Sequence, residues 1–460
     1  MSIPFYAKSP DNQGYIKNLE VVGFTDLGQS AAFQLAVYKP DKDKYYIYAT
    51  TRAGDSREKG VMILDVTDPA TPKHVKTIEL FDPTECPTSK PLKLQVADDL
   101  LIVALLSGGG PAATNPVSAL TDIKFMNGIQ IYSLKEDPLN PVLLSYWDTG
   151  VPKSFGVHRF MYNGGRYVHL ASDALGFEGM IYRILDIEDP KKPVEIGRWW
   201  LPEQYVDGYP GRTYDPSQPH IPQFMDKGHF HGPPFVRDGK CYMGYGGAGF
   251  IILDVEDFTR PKCLSQLRFQ PAMSGGLGGA RTHTALPLPG RDLAVVTNEG
   301  ERYAWFTPER IRTAGPQPMN NIHMVDVSDP ARPTLIAQFP YPEVPPSFPY
   351  KNFNVAGLGI AGPFGPHNIH EPMEGKPGLE LRADRVYCCY FHAGLRVFDV
   401  SDEYNVKELA YFIPPNPTVI HYPTFPGPRL ATTEDCLVDD RGYIFISCLE
   451  DGVYVLKMKE

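Results

Sequence analysis

Four histidines in this chain occupy matching places. His158 lies seven residues before Gly165, His231 eight before Gly239, His283 seven before Gly290 and His367 eight before Gly375. Each is separated from its glycine by an apolar run, so each opens a strand that ends in a tight turn. Glu434, eight residues before Gly442, opens a fifth run in the same way. Imidazoles gathered in one place repel when protonated and need partners when neutral, and one shared ion answers both. We therefore read His158, His231, His283 and His367 as metal ligands. The alternative is a plug of histidines hydrogen-bonded to one another and to water. A set of neutral imidazoles suits a divalent transition metal, with Fe(II) favoured and Zn, Mn or Cu also compatible. It does not suit Ca²⁺ or Mg²⁺, which take oxygen ligands.

Other candidates lie close to these four. In GPHNIHEP, His370 competes with His367 for the ligand position, and the spacing to Gly375 favours His367. His392, in YFHAGL, and Glu434 are candidate acid–base groups, with His370 as a further catalytic candidate. Arg281, at the end of the glycine-rich SGGLGGARTH, could grip an anionic group of a substrate. Ligating histidines commonly donate their second N–H to a carboxylate; Glu299, Glu371 and Glu434 are the candidates to accept it, the alternative for each being a simple surface or turn acid. No GxSxG elbow and no CxxC pair occurs, and no cysteine has a motif that marks it as a nucleophile.

The elements that must position these residues follow from a recurring unit. An apolar strand, an acidic turn and a second apolar strand appear in VMILDVTDPATPKHVKTIEL, IQIYSLKEDPLNPVLLSYW, YRILDIEDPKKPVEIGRWW, FIILDVEDFTRPKCLSQLRF, IHMVDVSDPARPTLIAQF and LRVFDVSDEYNVKELAYF, with VYVLKMKE as a half-copy at the end. The Asp that closes the first strand can bond turn amides, and Pro fixes φ inside the turn. Two more strand-like runs precede each unit, which makes four strands, A to D, per repeat. Repeats of this kind predict an all-β fold, a seven-bladed propeller with four-stranded blades. The last copy lacks strand D, and the segment 19–25, with LEVVGF at 19–24, is free to supply it, closing the ring through the two termini. Residues 1–460 then form a single domain. In that register blades one and two bring Phe33 or Gln34 and Leu92 or Lys93 to the place that histidine holds elsewhere.

MILDVTDP, IILDVEDF, HMVDVSDP and RVFDVSD resemble the LVIVD repeat of bacterial β-propeller proteins. That resemblance implies the scaffold and leaves activity open, since function resides in the site and not in the fold. The axial layout of four histidines is similar to that of carotenoid cleavage oxygenases, which hold iron at the axis of a seven-bladed propeller. The similarity is one of layout only.

Insertions at 106–128, 201–229, 270–281, 300–320, 340–366 and 414–429 fall on B–C or D–A connections, which lie on one face of a propeller. They are rich in Tyr, Phe, Trp and Pro, as in WWLPEQYVDGYPGRTYDP and FPYPEVPPSFPYKNF, and suit a small apolar or aromatic substrate. A formal net charge of -10 with scattered Lys and Arg gives no stripe for a phosphate backbone, which argues against nucleic acid as a partner. No signal-like segment or membrane span is read, and the seven cysteines fit reduced core thiols, so a cytoplasmic protein is expected. An oligomer is compatible with all of this. The favoured function is a metal-dependent enzyme with iron-dependent oxidative chemistry. The alternatives are a lyase, hydratase or hydrolase using the ion as Lewis acid, and a non-enzymatic scaffold that binds a partner through the loop face.

Overall fold

The computed structural model describes residues 14–28, 30–51, 60–82, 85–86, 89–107, 126–151, 154–206, 230–269, 282–299, 321–348, 353, 364–417, 430–449 and 451–459. Seven antiparallel sheets of four strands follow one another around a ring. The all-β propeller expected from the repeats is the fold observed.

The repeat motif works locally as its residues require. Asp65, Asp186, Asp254, Asp326 and Asp399 each close a C strand, and each Oδ1 accepts the amide N–H two residues on, at 2.8–3.0 Å. Three residues further, Asp68, Asp189, Asp257, Asp329 and Asp402 repeat the same bond at 2.9–3.1 Å. These pairs of Asx-type turns stand in for backbone hydrogen bonds and fix the C–D corner. Between blades, Val, Ile, Leu, Tyr and Phe from alternate strand positions pack face to face in separate buried clusters.

The ring closes through the N-terminal region. Leu19–Thr25 pairs with Gly452–Met458 and becomes the outer strand of blade seven, with Leu19 fully buried in its core. Tyr15–Lys17 pairs with Lys407–Ile413 of blade six. Blade six thus carries an additional outer strand that the repeat pattern does not announce. Inside its first strand, residues 367–370 form no regular strand but run along Arg385–Cys389 through His367 N to Cys389 O, Cys389 N to Asn368 O and His370 N to Tyr387 O, at 2.9–3.0 Å.

The long A–B connection of blade six crosses the A–B end of the axis. Gly378 O accepts from Asp440 N at 2.9 Å and Glu380 N donates to Val438 O at 2.9 Å, which ties the connection to blade seven. Lys376 reaches Gln95 of blade two. Arg159 of blade three donates to Asn368 Oδ1 at 2.9 Å and Glu371 Oε1 at 2.7 Å. A cavity of about 30 Å³ remains beside this crossing, lined in part by Gln95, Glu371, Lys376 and Asp435, enough for about one or two waters. No helix among the described residues is long and apolar enough to cross a membrane.

Candidate axial histidine and carboxylate site

In five of the seven blades a β-bulge lies at the axial position. The pairing of strands A and B shifts register between Ala32 and Leu35, Pro91 and Lys93, Val157 and Arg159, Thr282 and Ala285, and Thr433 and Asp435. Phe33, Gln34, Leu92, His158, His283 and Glu434 lie within those shifts. Lys93 closes one. A bulge turns its residue out of the strand's ordinary alternation, here toward the axis. The amide freed by the bulge is satisfied by a hydroxyl of strand B: Thr50 for Gln34, Thr297 for Thr284 and Ser447 for Asp435, at 3.0–3.2 Å.

The four histidines meet. Ring centroids are 4.0 Å apart for His158 and His231, 5.1 Å for His231 and His283, and 4.9 Å for His283 and His367. The file continues to Glu434, whose Oε1 lies 3.3 Å from His367 Nδ1. Glycine allows the close approach in the middle of the file. A Cβ on Gly232 would stand 1.5 Å from His283 O, and one on Gly244 would stand 2.2 Å from the same oxygen.

Tautomers follow from the acceptors. His158 Nδ1 lies 3.0 Å from His231 O and His367 Nδ1 lies 3.2 Å from Glu434 O. A carbonyl can only accept, so both rings carry the proton on Nδ1 and leave Nε2 with its lone pair. His283 Nδ1 contacts Thr284 Oγ1 at 2.8 Å, and its Nε2 is buried with no hydrogen-bond partner among the described residues. Burial holds His283 and His367 well below the usual imidazole range, against the opposing pull of Glu299. Both rings are therefore neutral near pH 7, the form that ligates metals.

Glu299 completes the group. It follows strand B of blade five, is buried, and places Oε2 3.1 Å from His231 Nε2 and Oε1 3.9 Å from His367 Nε2. Donor atoms of His231, His283 and Glu299 all lie within 4.8 Å of one another. The sequence marks Glu299 as a carboxylate behind the ligands; the structure sets it among them. Two other expectations are redirected. Glu371 serves Arg159. His370 has both nitrogens committed to backbone, Nδ1 accepting from Val438 N at 3.1 Å and Nε2 facing Glu380 O at 2.9 Å. Those bonds make it a strut between blades six and seven, in place of the catalytic role read from the motif.

His392 is buried beside Phe353 and Phe364, with Nε2 3.2 Å from Phe353 O. Its neighbour Phe391 stacks on His367 at 4.6 Å, and Phe155 stacks on His158 at 6.5 Å. Arg281 and most of the insertions at 106–128, 201–229, 270–281, 300–320, 340–366 and 414–429 lie outside the described residues. Among the described residues no disulfide forms; six of the seven cysteines are buried and Cys263 is exposed.

The LVIVD repeat family matches residues 319–340, which hold the fifth of the repeat units. A search of curated proteins gives no match. Among solved structures, the periplasmic gluconolactonase PpgL of Pseudomonas aeruginosa is 14% identical with a TM-score of 0.51, covering 87% of this chain and 97% of its own. Sqt1 of Chaetomium thermophilum is 10% identical with a TM-score of 0.50, covering 95% and 98%. At such identities the likeness is one of fold. This chain is a seven-bladed β-propeller that carries an LVIVD repeat.

Proposed function

We propose that the chain is a metal-dependent enzyme acting on a small apolar or aromatic molecule at the propeller axis. The observation that carries this reading is the buried Nε2 of His283, which has no partner among the described residues and faces a group of imidazoles and a carboxylate. Leaving such an atom without a partner costs about 1–3 kcal/mol, and an ion bound there removes that cost. His231, His283 and Glu299 form two imidazoles and one carboxylate, a donor set that suits non-haem Fe(II). His158 and His367 flank them and would complete the shell. When bound, iron would supply one-electron and dioxygen chemistry. The chain's own contribution is to hold the tautomers through His231 O and Glu434 O, and to keep the imidazoles neutral by burial. It also lines the approach with Phe155 and Phe391.

Elemental analysis of protein purified without added metal tests the reading. Near-stoichiometric iron, with dioxygen-dependent turnover of an aromatic substrate, is expected. Bound zinc with no dioxygen dependence would move the reaction to the Lewis-acid class. Absence of every transition metal, before and after incubation with Fe(II), Zn, Mn and Cu, would leave the histidines as a polar plug.

A further inference from the structure

Lys93 stands on the same axial ring and, among the described residues, has no counterpart to its charge of good geometry. Its side chain is 3% exposed, and its Nζ lies 4.0 Å from Glu434 Oε1 and 4.1 Å from the centre of the Phe33 ring. It makes no side-chain hydrogen bond among the described residues. Glu434 is shared: its Oε1 is also 3.3 Å from His367 Nδ1. A buried ammonium ordinarily needs both an ion pair and hydrogen bonds to offset lost hydration. Here an ion pair at the limit of contact and one aromatic face must serve. Arg159 adds repulsion, and burial with that repulsion lowers the lysine's proton affinity, while Glu434, Asp435 and Glu371 oppose the shift. A methionine would fill the same volume at less cost, so the charge is best explained by something that arrives.

We propose that Lys93 binds an anionic oxygen of the substrate, a carboxylate or phenolate, while the apolar body of that molecule lies against Phe33 and extends toward the histidines. This deepens the reading of the axis as a ligand site, and it does not depend on which metal is held there. The ligand accepts hydrogen bonds from Nζ, and the cation, already over an aromatic ring, gains the partner that its surroundings lack. The anionic handle would sit one blade from His158 and two from His231, which orients the remainder of the molecule across the cluster.

Calorimetric titration of the full-length protein with benzoate, 4-nitrophenolate and the neutral isostere benzamide tests this, with metal content measured on the same samples. The wild type should prefer benzoate or 4-nitrophenolate to benzamide by about tenfold or more, as a charged hydrogen bond implies. Whichever anion binds tighter identifies the handle. Lys93→Met should remove that preference and leave metal content and benzamide affinity unchanged; Lys93→Arg should retain part of it. Equal affinity of wild type and Lys93→Met for both anions overturns the proposal. So does a wild type that fails to discriminate benzoate and 4-nitrophenolate from benzamide, a comparison that needs no variant to fold. Wild type that takes up no transition metal even after incubation, yet still selects the anion, would sink the metal reading and leave the role of Lys93 standing.

Discussion

The carboxylate of Glu299 lies 3.1 Å from His231 Nε2 and, through its other oxygen, 3.9 Å from His367 Nε2. One side chain from blade five thus spans imidazoles from blades four and six. Removing its charge should weaken any ion held by those rings. Glu299→Gln is expected to lower metal affinity by about tenfold to a hundredfold, read by competition with a chromophoric chelator. Unchanged affinity would show that the carboxylate neither ligates nor orients.

The file of histidines gives a prediction with an internal contrast. His158→Ala, His231→Ala, His283→Ala and His367→Ala should each lose most bound metal and most activity. His370→Gln should keep the metal and instead lose about 1–3 kcal/mol of stability, because it breaks the bonds to Val438 N and Glu380 O. Denaturant unfolding and elemental analysis on the same five proteins separate the two classes. Loss of metal from His370→Gln with full stability would reverse the assignment.

Acid should destabilise the fold through buried histidines outside the axial file. Burial lowers His169 to about 3 and His323 and His370 to about 4, from 6.5. Each must stay neutral in the folded chain, whereas the unfolded chain takes up protons below about 6.5. Stability is therefore present above pH 6.5 and falls as pH drops toward 4. The fall is on the order of 3 kcal/mol for each fully buried ring. Urea midpoints measured from pH 7 to pH 4 check this, and His370→Gln should flatten part of the slope.

Closure of the ring is testable without reference to the axis. Deleting residues 14–25 removes both Tyr15–Lys17 and Leu19–Thr25 and exposes the edge of Gly452–Met458. An unpaired edge invites association with another chain, so aggregation or a broad, early melt is expected. Leu19→Ala is the milder form and should cost about 2–4 kcal/mol. A truncated protein that is monomeric and melts like the full chain would contradict closure through this strand.

Close packing at the axis makes Gly232 a remote lever on His283. A methyl there would meet His283 O at 1.5 Å, so Gly232→Ala must displace the inner strand of blade five. It should lower metal content while leaving the outer blades folded, visible as retained β-sheet circular dichroism with a reduced metal-to-protein ratio. Full metal content in a well-folded Gly232→Ala protein would show that the backbone yields elsewhere.

The count from a turn glycine back to His158, His231, His283 and His367 picks out four rings that meet, because an extended run rises by a nearly constant amount per residue. The capping Asp residues and the missing D strand of the last repeat were equally legible, since both depend on local chemistry and on pairing that one motif repeats. What the pattern could not reveal is set by neighbours far apart in the chain. Glu299 follows strand B of its blade, and only the stacking of adjacent blades brings it between His231 and His367. Lys93 and Phe33 meet because blades one and two abut. Lys93 reaches Glu434 across 341 residues only because the ring is shut by Leu19–Thr25. His370 sits in a motif as rich as that of His367, yet Val438 and Glu380 take both its nitrogens. Local sequence determines which residues begin a strand and how a turn is capped. The bulges and the packing of one blade on the next decide which side chains converge, because convergence is a property of the closed ring.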